Sequence, residues 1–188
     1  MALAQADYDL GEHIECSYLS RGLNDTYLLR TRPAAGRAGR RGAMECGRGH
    51  SILRVYRGMW RTAEEIRYEL DLLSHLERHL PPGVAVSTPI PRRDGALFRA
   101  INAPEGTRHL ALFTYAPGAP PAWAGQEQCA AYGGAVGALH NASDGFTSAH
   151  ARLRVDLEYL VEAPLRSLRP RMMHRAADFG YVQATVTF

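Results

Sequence analysis

Lysine is missing from this sequence: all 22 basic side chains are arginine. Chemistry that needs a lysine amine is thereby excluded from the chain, including Schiff bases and the usual phosphate-gripping lysine of nucleotide enzymes. Cysteine is scarce. Cys16, Cys46 and Cys129 are odd in number, far apart and in no C-x-x-C pair, which signals neither a disulfide framework nor a zinc site and leaves three reduced thiols as the expectation. No stretch approaches the roughly 18 uninterrupted apolar residues of a membrane span. The start, MALAQADYDLGEH, has neither the basic patch nor the apolar run of a secretion signal. A soluble, cytoplasmic protein with no membrane contact is expected. The histidines form no ligand pair, since His75 and His79 lie four apart without a Glu directly after the first. No metal-ligating residues are expected in the chain.

The 188 residues, 46% of them hydrophobic, suffice for one domain or one and a half and exclude a disordered or collagen-like chain. Charge is unevenly spread. Residues 30–67 carry ten Arg against three Glu, so this segment stands at +7 and the remainder of the chain at −4. Anion contact is expected there.

Patterning changes class partway along, which predicts an α+β protein. The first 115 residues read as short β segments around one helix, with strands at 12–19, 25–31, 51–57, 96–101 and 109–115 punctuated by Gly22, Gly95 and Gly106. A Gly- and Arg-rich stretch at 33–49 cannot bury an apolar face and reads as a flexible insert. Its Arg37, Arg40, Arg41 and Arg48 offer a nucleic-acid contact, but no aromatic residue interleaves them to stack on bases, so a solvated loop is the expectation. After Tyr115 comes APGAPPAWAG, a hinge-like joint. A helix from about Gln126 to Asn141 follows, then another from about Asp156 that Pro164 disturbs.

Thr62, with Glu65 three residues on, opens a helix over 62–80 in a capping-box pattern. At about 100° per residue, Ile66, Leu70, Leu72, Leu73, Leu76 and Leu80 share one arc, and Glu69 falls near its middle. A carboxylate aimed at the core needs a cation or a wet cleft; the other reading rotates the helix and leaves Glu69 at its rim. Arg54 supplies a candidate partner. In SILRVYR, alternation puts Ile52, Arg54 and Tyr56 on one face of a strand and Leu53 and Val55 on the other. Upstream, YLSRGLNDTYLLR places Ser20, Gly22, Leu23 and Asn24 in a tight turn whose backbone could approach an anion, although a hairpin needs no ligand.

The blocks S-R-G-L-N-D-T-Y-L-L-R (20–30), I-L-R-V-Y-R-G-M-W-R (52–61), E-E-I-R-Y-E-L-D-L-L-S-H-L (64–76), P-I-P (89–91), A-P-E-G (103–106), L-F-T-Y-A-P-G (112–118) and G-A-L-H-N-A-S-D (137–144) occur in this order. In them the chain resembles the kinase-like phosphotransferases, a group that includes aminoglycoside phosphotransferases, choline kinases, homoserine kinases and a bacterial stress-response kinase. The R-V-Y-R-x-x-W-R block looks most like the last of these. The resemblance implies a protein-kinase-like N-lobe at 1–116, an antiparallel sheet of about five strands plus one helix, and an incomplete helical C-lobe at 117–188. It implies ATP and Mg2+ as cofactors and a small-molecule or protein hydroxyl as acceptor. It makes Ser20, Gly22, Leu23 and Asn24 the phosphate-covering turn, Arg54 the cation where lysine is usual, Glu69 its helix partner, and Phe113, Thr114, Tyr115 and Ala116 the hinge that meets adenine.

The sequence departs from the family where the chemistry would be done. The catalytic loop H-G-D-x-x-x-x-N and the later metal-binding Asp do not occur, so no catalytic residue is assigned. Asp178-Phe179-Gly180 imitates a kinase metal motif, but no catalytic loop precedes it, and a helix is expected there. His140 reads as a core or capping residue. The ending V-Q-A-T-V-T-F stops where the family pattern would continue, which suggests a truncated or frameshifted chain, inactive alone. The alternative is a non-catalytic nucleotide-binding or protein-interaction module.

Overall fold

The computed structural model describes residues 2–10, 14–31, 49–116, 118 and 125–186. Cys46, the arginines expected to offer a nucleic-acid contact, most of the 33–49 insert and most of the Pro/Gly joint lie outside these residues. By compactness the chain falls into two units, Met1–Ala151 and Arg152–Phe188. The helix after the joint falls within the first of these units.

Six strands make one antiparallel sheet rather than about five. They are β1 (Ile14–Arg21), β2 (Asn24–Thr31), β3 (His50–Tyr56), β4 (Pro89–Ile90), β5 (Phe98–Ala103) and β6 (Gly106–Thr114), in the order β1-β2-β3-β6-β4 with β5 also on β6. The unexpected one, β4, is two residues long and carries too few positions for an alternation to show. It pairs Pro89 with Phe113 and Ile90 with Leu112. Register across β2 and β3 sets Thr26 opposite Arg54, and across β3 and β6 sets Arg54 opposite Ala111.

Because side chains alternate, each face of this sheet needs its own cover. On one face Leu29, Leu53, Leu110 and Leu112 pack with Ala4 and Tyr8, from or just after the short N-terminal helix α1 (Ala2–Asp7), which the sequence did not announce. Asp7 ties this helix to the sheet by accepting hydrogen bonds from Arg99 Nη1 at 3.0 Å and Arg92 Nη2 at 3.4 Å. The other face carries Tyr56, Ala111 and Phe113 beneath Ile66 and Leu70 of helix α2 (Ala63–His79). The capping box forms as expected: the Glu65 amide donates to Thr62 Oγ1 at 3.2 Å and the Thr62 amide donates to Glu65 Oε2 at 3.0 Å.

Helix α3 (Gln126–Ser143) and the chain after it return along α2. His75 Nε2 lies 2.8 Å from the Ala142 carbonyl, the Tyr68 and Phe146 rings meet edge-on, and Ser148 Oγ donates to Asp71 at 2.7 Å. The second unit begins with a π-helical turn (Glu158–Glu162), followed by α4 (Ala163–Leu168), a 3-10 stretch (Arg169–Arg175) and α5 (Ala176–Val186). Its irregular hydrogen bonding falls where Pro164 and Pro170 lack an amide proton. Asp178, Phe179 and Gly180 are inside α5, and Asp178 accepts from Arg175 at 2.5 Å. Among the described residues no helix is long and apolar enough to cross a membrane. Cys16 and Cys129 are free and exposed.

Candidate functional site

Strand β3 and helix α2 bring a cation and a carboxylate together. Arg54 Nη1 donates to Glu69 Oε1 at 2.7 Å, with the two side chains 26% and 24% exposed. Ala111, directly beside Arg54 in register, is too small to fill the space above the sheet, and the guanidinium lies 4.6 Å from the centre of the Phe113 ring. Such a placement combines charge pairing with attraction to the aromatic face. The reading that left Glu69 at the helix rim is thereby set aside.

Tyr56 is a member of this site that sequence reasoning passed over. Two residues along from Arg54 on the same face, its hydroxyl donates to Glu69 Oε1 at 3.3 Å. Burial, and then the charge of Glu69, push the Tyr56 phenol well above its ordinary value, so it stays a proton donor at neutral pH. The alternation that placed Arg54 also placed Tyr56. Buried on the core face, its hydroxyl needs a partner, which α2 supplies in Glu69.

The expected phosphate-covering turn is narrower than its sequence implied. Ser20 belongs to β1 and Asn24 opens β2, leaving Gly22 and Leu23 as the bend. Ser20 is opposite Thr26, which is opposite Arg54, so Ser20 and Arg54 share a row across the sheet about 10 Å apart, two strand spacings. Asn24 is opposite Tyr56, and its Oδ1 accepts from the Arg57 amide at 3.2 Å, fastening the bend to the end of β3. A Cβ on Gly22 would meet nothing within 4 Å, so the space over the bend is open.

Arg108 of β6, also missed, secures the same end of the sheet from the opposite face. It donates to the Tyr56 carbonyl at 2.8 Å, the Val55 carbonyl at 3.1 Å and Asp25 at 2.7 Å. Only the strand register shows that residues 25, 55 and 108 meet.

The expected hinge starts inside the sheet. Phe113 is fully buried, and Thr114, the last residue of β6, donates its amide to the Thr88 carbonyl at 2.8 Å. The Tyr115 ring is 5.6 Å from that of His50, and Ala116 is half-buried. Ser51 is opposite Thr114 while Asn24 is opposite Tyr56, so bend and hinge are separated by about 17 Å along β3. Arg54 is between them. Among the described residues, no three His, Cys, Asp or Glu side chains gather where they could hold a metal ion.

The sheet with α2 laid across it is kinase-like in outline, and the comparisons agree on the fold. Residues 23–184 match the phosphotransferase enzyme family, and the chain belongs to it. An uncharacterised protein of Deinococcus radiodurans is 43% identical over 156 residues, 81% of this chain and 39% of its own length. A homoserine kinase of Paraburkholderia phytofirmans is 31% identical over 148 residues, 78% of this chain and 38% of the kinase. Among solved structures, a microcompartment-associated aminopropanol kinase superposes with a TM-score of 0.66 at 26% identity, over 87% of this chain and 46% of that one. An amicoumacin kinase in complex with AMP-PNP, Ca2+ and Ami shares the fold, with a TM-score of 0.62 at 18% identity over 94% and 52% of the two chains. The chain thus spans between about two fifths and one half of the length of these relatives.

Proposed function

We propose that this chain is the nucleotide-binding part, residues 1–116 with the opening helices at 117–188, of a cytoplasmic ATP-dependent phosphotransferase. The observation that carries the proposal is the 2.7 Å pair between Arg54 and Glu69, formed at the two positions that the family resemblance assigns to the phosphate-gripping cation and its helix partner. A bound ATP would supply the γ-phosphate for transfer. Arg54 would neutralise phosphate charge, with Glu69 and Tyr56 fixing its direction, and the amides around Gly22, Leu23 and Asn24 would donate to phosphate oxygens. The backbone of Phe113, Thr114, Tyr115 and Ala116 would meet the adenine edge. The open space at Gly22 and the partial exposure of Arg54 fit a nucleotide approaching from this side.

The described residues provide no group of three His, Cys, Asp or Glu side chains that could hold Mg2+. No catalytic loop occurs in the sequence either. Transfer to a hydroxyl of a small molecule, or of a protein Ser/Thr, is therefore proposed for the whole protein of which these residues form the nucleotide lobe, and this chain alone is proposed to be inactive. The kinases named above support a small-molecule acceptor. The missing loop favours, as the second reading, a non-catalytic nucleotide-binding or protein-interaction module.

Calorimetric titration with ATP, with and without Mg2+, tests the shared part of both readings. Micromolar, Mg2+-dependent binding that disappears in Arg54→Ala and Glu69→Ala is expected. Absence of binding in the parent chain, or equal binding in folded variants, would overturn it. Phosphate release in the presence of alcohol acceptors, carried by the chain itself, would refute the claim that it is inactive alone.

A further inference from the structure

Residues 88–91 read Thr-Pro-Ile-Pro. Proline has no amide proton, so along this edge of β6 only Thr88 and Ile90 can donate. Thr88 directly precedes β4, is 4% exposed and meets Thr114, the last residue of β6. The Thr114 amide donates to the Thr88 carbonyl at 2.8 Å. A regular antiparallel pair would return the Thr88 amide to the Thr114 carbonyl. Here that amide donates to Thr114 Oγ1 at 2.9 Å instead, so the side chain of Thr114 stands in for its own carbonyl.

The third partner comes from α2. Thr88 Oγ1 donates to Glu77 Oε1 at 3.3 Å and lies 3.1 Å from Thr114 Oγ1. A carboxylate only accepts and a hydroxyl has one proton, so Thr88 gives its proton to Glu77 and Thr114 gives its own to Thr88. Thr114 Oγ1 is thereby held from two sides, donating to the Thr88 hydroxyl and accepting from the Thr88 amide. The chain Glu77–Thr88–Thr114 leads from the last turn of α2 to the residue before Tyr115 and Ala116, all within the first compact unit. One helix thus fixes both ends of the site: Glu69 holds Arg54, and Glu77 holds the end of β6 through Thr88.

We propose that Thr88 is a positioning residue for the nucleotide base, a role that rests on the nucleotide reading of the hinge. Its amide, carbonyl and hydroxyl together set Thr114, and with it the backbone of Tyr115 and Ala116, in the place where adenine is met. Thr88 itself does not touch the base. The affinity contributed by the base therefore depends on a buried hydroxyl, and the affinity contributed by the phosphates does not.

ATP and inorganic tripolyphosphate, which carries phosphates without a base, are titrated by calorimetry into the full chain and its variants with Mg2+ present. Thr88→Val removes the hydroxyl and keeps the amide and carbonyl. It should weaken ATP about tenfold and leave the tripolyphosphate Kd within about twofold. Thr88→Ser restores the hydroxyl and should return ATP to within about twofold of the parent chain. Glu77→Ala, at an exposed position, breaks the same chain one link earlier without altering the sheet, and decides the matter if Thr88→Val does not fold. It should weaken ATP about threefold with tripolyphosphate again unchanged, whereas Arg54→Gln should weaken both ligands. Unchanged ATP affinity in folded Thr88→Val, or in Glu77→Ala, would overturn the positioning role and leave the nucleotide reading standing. So would an equal loss for ATP and tripolyphosphate. No ATP binding by the parent chain would overturn both.

Discussion

Removing the charge of Glu69 separates the ion pair from everything else α2 contributes. Two unit charges about 4 Å apart attract by about 4 kcal/mol at an effective dielectric constant near 20. Loss of water around both groups offsets much of this, and side chains about a quarter exposed fall between a surface pair and a buried one. A net coupling of about 1–2 kcal/mol follows. Glu69→Gln keeps an amide oxygen that can accept from Arg54 and Tyr56, so its effect is mainly the lost charge. For a domain of this size, that corresponds to a Tm lowered by about 3–6 °C. Arg54→Gln should cost somewhat more, because it also removes the cation above Phe113. The decisive measurement is the double-mutant cycle, read by urea unfolding at neutral pH. A double variant less stable by only about the loss of the worse single variant supports the pair. If the two losses add to within about 0.3 kcal/mol, the side chains do not act on one another and the reasoning fails.

Gly22→Ala should leave stability unchanged, since its Cβ has open space. Gly49→Ala, with φ at +80° and a Cβ 2.4 Å from the Thr31 carbonyl oxygen, should cost about 1–3 kcal/mol; equal melting temperatures for the two variants would contradict this. Thr62→Ala breaks the capping box and should lower stability by about 1 kcal/mol, with hydrogen exchange faster in the first turn of α2. Burial pushes the Tyr8 hydroxyl up to about 12, so its contribution is complete below pH 10, the unfolded value, and disappears as pH rises through about 12. Tyr8→Phe should flatten this alkaline loss by about 2–3 kcal/mol. A residual slope from Tyr56, raised in the same sense, should remain, and an unchanged slope would count against the burial argument.

What the sequence determined by itself is local or periodic. The capping box at Thr62 and Glu65 and the facing of Ile52, Arg54 and Tyr56 depend on neighbours a few residues away. A pattern of period two or 3.6 records such neighbours directly. Tertiary structure decided what depends on register and on elements too short to have a period. The two residues of β4 and the six of α1 are fixed by the sheet they touch. Arg108 reaches Tyr56 and Asp25 only because three strands end side by side. Glu69 could have faced a rim or a cation until α2 was laid across β3. A charged side chain takes its partner from whatever the completed fold brings within reach, and linear order does not encode that distance.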